Sequence, residues 1–232
     1  MWAASILGEP VSERAPKRRV AILISGRGSN MSALIAAAQA PHYPAEIALV
    51  VSNRPDAQGI AAARAAGIAT AIVDHAPFGK DREAFEAALE RELQARRIDI
   101  VCLAGFMRLL TPALVSRWQE RMLNVHPALL PSFKGLDTHA RALAAGVKVH
   151  GATVHFVTPE MDSGPIVAQG AIAVRDDDTP DTLAARVLAI EHEIYPRALR
   201  LVAEGRVRLE DRRCRLAGAD EPGAKLVVPS GT

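Results

Sequence analysis

Short apolar runs that end in Gly, Asn or Pro alternate along this chain with longer, Ala-rich segments of helical periodicity. This alternation is typical of βαβ units, in which helices join parallel strands and cover both faces of their sheet. The pattern predicts strands near residues 19–25, 46–52, 69–73, 98–104 and 122–126. It predicts helices between them near residues 30–40, 57–67, 81–96 and 111–118.

The chain changes character near residue 148. Two β-rich runs, at residues 149–157 and 165–174, are separated only by a short turn and predict a hairpin-like antiparallel pair. An amphipathic helix is expected near residues 180–203, and the Pro- and Gly-punctuated residues 127–138 predict a loop over the sheet. We therefore expect an α/β fold, with a mostly parallel, twisted, Rossmann-like sheet, helices on both faces and antiparallel strands added by the C-terminal part.

Charge and cysteine usage exclude several kinds of partner. The 28 basic and 26 acidic residues are interleaved, for a net charge of +2, so no nucleic acid is expected as a partner. The two cysteines form no disulfide framework, and neither they nor the histidines show the spacing of a metal site. The first residues lack the pattern of a signal peptide or a membrane span, so we expect a soluble, cytoplasmic protein.

A Gly-rich loop, ISGRGSN at residues 24–30, follows the first predicted strand. It is not a dinucleotide fingerprint, because Met31 replaces the third glycine and Asn53 stands where an acidic residue would end the second strand. No Gly-Lys-Ser/Thr follows at the spacing of a Walker A loop either. Two interpretations remain: a site for a single phosphate at Gly28, Ser29 and Asn30, or a tight turn in which Ser29 caps the helix.

Asn124 and His126 are two residues apart at the carboxyl end of a predicted strand, so their side chains point to the same face. An Asn amide is a neutral donor suited to an oxyanion, and a His can donate or accept a proton near neutral pH. Asp162 lies in the turn MDSGP at residues 161–165. Alternatively, His126 is a hydrogen-bonded structural residue and Asp162 only caps its turn.

Covalent acyl transfer finds little support, because the chain has no Gly-x-Ser-x-Gly elbow and Cys102 lies inside an apolar run. The pattern favours non-covalent chemistry at an acyl carbon, with Asn124, His126 and Asp162 acting together.

The chain closely resembles the folate-dependent phosphoribosylglycinamide formyltransferases in six ordered motifs. These are ISGRGSN at 24–30, LAGFMRLL at 103–110, LNVHPALLP at 123–131, HGATVHFV at 150–157, MDSGP at 161–165 and EHEIYP at 191–196. The resemblance covers the chain from about residue 18 to about residue 217.

The resemblance implies transfer of a formyl group from 10-formyltetrahydrofolate to the amine of glycinamide ribonucleotide, without a metal. It assigns catalysis to Asn124, His126 and Asp162. The nucleotide would bind Gly28, Ser29, Asn30 and Glu191. The folate cosubstrate would bind Arg82, Met107, Arg108, Leu109, Leu110, Asn124, Thr158 and Asp162. Asp137 stands where some members have another polar residue such as His, so no role is assigned to it.

The resemblance also suggests how the chain is divided. We expect a disordered leader (1–18), a nucleotide-phosphate-binding half (19–118), a catalytic and folate-binding half in the same sheet (119–215) and a disordered tail (216–232). The protein would be a monomer or homodimer. The tails are short for the extra domains of formyltetrahydrofolate deformylase or methionyl-tRNA formyltransferase. A deformylase-like hydrolase and a non-catalytic phosphate-ligand-binding protein remain as alternatives.

Overall fold

The computed structural model of the protein describes residues 16–218, 226 and 228. Most of the predicted leader and tail therefore lies outside the described residues. Seven strands form one sheet in the order β3-β2-β1-β4-β5-β6-β7, and two more form a separate hairpin. The strands are β1 (Arg18–Ile24), β2 (Ala45–Ser52), β3 (Thr70–Ile72), β4 (Ile100–Leu103), β5 (Met122–His126), β6 (Val149–Phe156), β7 (Ile166–Ala173), β8 (Val207–Glu210) and β9 (Arg213–Leu216).

Six α-helices are described, and their termini carry the signals that local chemistry favours. Three begin at a side-chain N-cap: Asp81 for α3, Thr111 for α4 and Thr179 for α6. The helices are α1 (Ser29–Ala38), α2 (Gln58–Ala65), α3 (Arg82–Ala95), α4 (Pro112–Arg117), α5 (Thr138–Ala144) and α6 (Pro180–Ala203).

The sheet is parallel from β3 through β5 and antiparallel from β5 through β7. The predicted fold class is confirmed, including the antiparallel pair at residues 149–157 and 165–174. Each central strand is apolar on both faces because helices cover both. In β1, for example, Ile22 packs on the side of α1, α2 and α6, whereas Leu23 packs on the side of α3 and α4.

Two elements differ from the sequence-based expectation. The predicted loop over residues 127–138 is confirmed to residue 137, but α5 begins at Thr138. The hairpin of β8 and β9 was not predicted, since its turn residues Asp211 and Arg212 both have positive φ, for which Gly or Asn is the usual signal. Among the described residues, no helix has both the length and the apolar character to cross a membrane.

Candidate functional site

A cavity of about 830 Å³ opens at the carboxyl ends of β4 and β5. Ligands bind at this edge of open α/β sheets because the loops that follow parallel strands converge there. Ten of the predicted site residues line this cavity: Asn30, Met107, Arg108, Leu109, Leu110, Asn124, His126, Thr158, Asp162 and Glu191. Gly28, Ser29 and Arg82 do not line it.

The amide of Asn124 is oriented by a histidine on the neighbouring strand. Asn124 of β5 pairs in register with His155 of β6, and Asn124 Nδ2 lies 3.3 Å from His155 Nε2. His155 Nδ1 lies 2.9 Å from the carbonyl of Phe156, so this nitrogen carries the proton and Nε2 accepts. One amide hydrogen of Asn124 is thus engaged by His155, and the other remains available toward the cavity.

Burial lowers the pKa of His155, against the opposing effects of the Phe156 carbonyl and the Asp162 carboxylate. The ring therefore stays neutral near pH 7. A neutral ring keeps Nε2 as the acceptor for Asn124, because a protonated ring would present a hydrogen there instead.

His126 has an acceptor near each of its ring nitrogens. Nε2 lies 3.0 Å from the carbonyl of Phe133, and Nδ1 lies 3.5 Å from Asp162 Oδ2. Both side chains are nearly buried, with 6% and 10% of their surfaces exposed. An N–H on either ring nitrogen therefore has an oxygen acceptor in front of it. The 3.5 Å separation is long for a direct N–H···O bond, which leaves Nδ1–H able to reach a substrate atom as well.

Asp162 is held in an uncommon backbone conformation. Its φ of 50° lies in the left-handed region, which Asp adopts more readily than most residues. Its Oδ2 accepts the backbone N–H of Gly135 at 2.9 Å, and its Oδ1 lies 3.9 Å from His155 Nε2. The carboxylate is thus placed between two histidines and tied to the loop that also binds His126.

Asn30 and Glu191 meet across the cavity wall, although 161 residues separate them in the chain. Asn30 Nδ2 donates to Glu191 Oε2 at 2.6 Å, and both residues are more than nine-tenths buried. Burial raises the pKa of Glu191, and the bond from Asn30 opposes that shift. The Oδ1 atom of Asn30 is buried and has no hydrogen-bond partner among the described residues, so a polar group is left for a ligand to satisfy.

The Gly-rich loop contradicts the interpretation in which Ser29 caps the helix. Gly28 is the N-cap, at φ 76°, and Ser29 is the first residue of α1. A side chain at position 28 would lie 3.0 Å from Met31 Cε and 3.2 Å from the Cα of Gly59. The first N–H groups of a helix have no partner within it, so they can face an anion.

The cavity rim is apolar on one side. Met107 and Leu109 are both exposed there by more than 60%, and the exposed side chains of Leu136 and Met161 also line the cavity. Arg82 lies outside the lining, but it precedes Glu86 by one turn of α3. Glu86 accepts the backbone N–H of Thr111 at 2.6 Å, directly after Leu110, so Arg82 lies on the helix face nearest this rim.

Sequence reasoning missed His155 as part of the site. The only signal was its polar character within an apolar strand, and its partner depends on the register of β5 and β6. Within the part of the chain that the structure describes, no three His, Cys, Asp or Glu side chains are grouped to hold a metal ion.

The cavity brings Asn124, His126 and Asp162 together, and comparison with known proteins shows the class to which the chain belongs. Residues 18–199 match the family model described as formyl transferase. The chain belongs to the formyl transferase family.

Individual relatives place the chain more narrowly. It is 42% identical over 203 residues to phosphoribosylglycinamide formyltransferase of Escherichia coli, covering 88% of this chain and 95% of the relative. The crystal structure of glycinamide ribonucleotide transformylase 1 from Symbiobacterium toebii superposes with a TM-score of 0.85 at 45% identity, over 90% and 99% of the two chains. The human trifunctional purine biosynthetic protein adenosine-3 is 49% identical over 193 residues, which cover 83% of this chain. The chain spans about a fifth of that curated relative's length, since the match covers 19% of it.

A second pair of histidines lies beneath the loop that binds His126. The rings of His139 and His150 meet edge to face, with centroids 5.4 Å apart, and Phe133 packs on His150 in the same way. Burial lowers the pKa of His150 to about 4, His139 adds to that shift and the carbonyl of Pro127 opposes it.

We expect His150 to make the protein less stable in acid. In the unfolded chain, His150 has an ordinary pKa of about 6.5 and binds a proton below that pH, whereas folded His150 stays neutral down to about pH 4. The free energy of unfolding therefore falls as the pH drops from about 6.5 to 4. With solvent screening, the loss should be about 1 to 2 kcal/mol. Urea unfolding at several pH values should show a smaller loss in His150→Phe, and the full loss in His42→Phe, whose side chain is exposed. An equal loss in His150→Phe and the unmodified protein would contradict this.

Proposed function

We propose that this chain transfers the formyl group of 10-formyltetrahydrofolate to the amine of glycinamide ribonucleotide, a step of de novo purine biosynthesis. The observation that carries the proposal is the convergence of Asn124, His126 and Asp162 on one cavity. The bacterial relatives add support, because proteins of nearly the same length carry that activity in their names.

The two substrates suit different groups of residues in and beside the cavity. The start of α1 offers backbone N–H groups for the phosphate of the nucleotide, and buried Asn30 and Glu191 offer polar groups for its hydroxyls. The apolar rim at Met107 and Leu109 suits the aromatic part of the folate. Arg108 and Arg82 can pair with the carboxylates of its glutamate tail.

In this arrangement the neutral amine of the nucleotide attacks the formyl carbon. A C–N bond forms, and the carbonyl oxygen becomes an oxyanion that accepts from the free amide hydrogen of Asn124 and from Nδ1–H of His126. The tetrahedral intermediate then collapses, and the bond from carbon to N10 of the folate breaks.

Asp162 has two tasks in this mechanism. Its carboxylate lies next to Nδ1 of His126, where it can accept the Nδ1–H and hold the ring in its orientation. It can also help to move the proton that the attacking amine loses to N10 of the departing folate, directly or through water. The backbone N–H of Gly135 donates to its Oδ2 and holds it in place for both tasks.

The function is tested by mixing the pure protein with both substrates and following release of tetrahydrofolate with and without the nucleotide. We expect release only when glycinamide ribonucleotide is present, with formylglycinamide ribonucleotide formed in equal amount. Release without the nucleotide would identify a deformylase instead. No release, together with retained ligand binding, would identify a non-catalytic binding protein.

Removing the Asn124 amide should affect turnover more than binding. We expect Asn124→Ala to lower kcat on the order of a hundredfold or more, because an oxyanion donor acts mainly in the transition state. The KM values for both substrates should change little. Steady-state kinetics provide the measurement, and Ser116→Ala, at an exposed position on α4, serves as control. Near-normal turnover in Asn124→Ala would remove this residue from the mechanism.

Arg82 is the predicted folate contact with the least structural support, and it can be tested against a matched residue. We expect Arg82→Ala to raise KM for 10-formyltetrahydrofolate several-fold and to leave KM for the nucleotide unchanged, because only the folate tail carries the carboxylates it would pair with. Arg91→Ala, also exposed and on the same helix, should leave both values unchanged. If the two variants behave alike, Arg82 does not bind folate.

A further inference from the structure

Ser25 connects two loops to which the proposed function assigns different substrates. It directly follows β1 and opens the Gly-rich loop, and it is 7% exposed. Its backbone N–H donates to the carbonyl of Gly105 at 3.1 Å, and its Oγ accepts the backbone N–H of Met107 at 2.8 Å. One residue at the base of the nucleotide loop therefore binds the loop of residues 105–110 at two points.

A third bond determines the direction of the Ser25 hydroxyl. Oγ donates at 2.6 Å to Oδ1 of Asn53, a residue that is 2% exposed at the end of β2. A carbonyl oxygen can only accept, so the single hydroxyl hydrogen of Ser25 points to Asn53. Its lone pair is thereby turned toward Met107, whose N–H completes the chain of bonds.

From this chain of bonds, which rests on the proposed function, we infer that Ser25 and Asn53 are positioning residues for the formyl donor. They touch neither substrate in this arrangement. They fix the backbone position of the segment that carries Met107, Arg108 and Leu109, whose side chains line the part of the cavity assigned to the formyl donor. Glu86 binds the far end of the same loop at Thr111, so the segment is anchored at both ends.

The inference also accounts for the orientation of Asn53, whose Oδ1 faces Ser25 while its Nδ2 lies 3.2 Å from His75 Nδ1. A dinucleotide-binding protein has an acidic residue at this place, where it contacts a ribose. Here the side chain is buried and points back to Ser25 rather than to a ligand. A neutral amide can accept the hydrogen bond from Ser25 in this buried position without the desolvation penalty of a buried charge.

The test compares substrate-specific KM values in variants of the full chain. We expect Ser25→Ala to raise KM for 10-formyltetrahydrofolate about fivefold to thirtyfold, because the Met107 N–H and Asn53 Oδ1 both lose their partner. KM for glycinamide ribonucleotide should stay within about twofold. Ser25→Thr keeps the hydroxyl and should restore the donor KM, and Ser116→Ala is the matched control at an exposed serine.

Asn53→Leu provides a second, independent break in the same chain of bonds, should Ser25→Ala fold poorly. It is expected to raise the donor KM in the same way, and the double variant should raise it no further than the stronger single variant. Equal effects on both substrates in Ser25→Ala, or an unchanged donor KM in Asn53→Leu, would overturn the inference.

A substitution in the loop of residues 105–110 distinguishes failure of the positioning role of Ser25 from failure of the proposed folate site. If Leu110→Ala raises the donor KM and Ser25→Ala does not, only the positioning role is wrong. If Leu110→Ala also leaves the donor KM unchanged, the donor does not bind this loop, and both the placement of folate and the role of Ser25 are overturned.

Discussion

The antiparallel pairing of β5 with β6 is the constraint on which the site depends. The strands from β3 through β5 in the sheet are parallel to one another, and the reversal at β6 places His155 directly opposite Asn124. The same reversal sends the chain into the turn that carries Asp162 back toward His126. Four side chains from three segments are thereby brought within hydrogen-bond or ion-pair distance at the end of one strand, in a largely buried setting where such contacts are strong.

The loops around the cavity are anchored by polar groups from distant elements. Phe133 and Gly135 bind His126 and Asp162 through their backbone groups, and Ser25 and Glu86 bind the two ends of the segment from residue 105 to residue 111. Each of these bonds uses a backbone N–H or carbonyl that would otherwise lack a partner outside regular structure. Segments without helix or strand can therefore present side chains to the cavity at defined positions.

Much of this architecture could be predicted from the sequence. The seven sheet strands and five of the helices follow from hydrophobic periodicity, and the pairing of Asn124 with His126 follows from the two-residue period of a strand. Two elements escaped prediction: α5 starts within a Pro- and Gly-rich stretch, and the turn at Asp211 and Arg212 lacks the usual glycine. The roles of His155 and Ser25 were not predicted, because each residue contacts a partner that is remote in the chain. The spacing of residues in the sequence does not reveal the register that brings such partners together.

The amino-acid sequence by itself determined the fold class, the strand that carries Asn124 and His126, and the motifs through which the family resemblance was seen. Those properties depend on local periodicity and on residue types that lie close together in the chain. Three contacts required the tertiary structure: His155 Nε2 faces the amide of Asn124, Asn30 donates to Glu191, and Asn53 accepts from Ser25 rather than contacting a ribose. The physical reason is that hydrogen bonds are short and directional, so their partners are chosen only when strand order and register bring distant segments within about 3 Å.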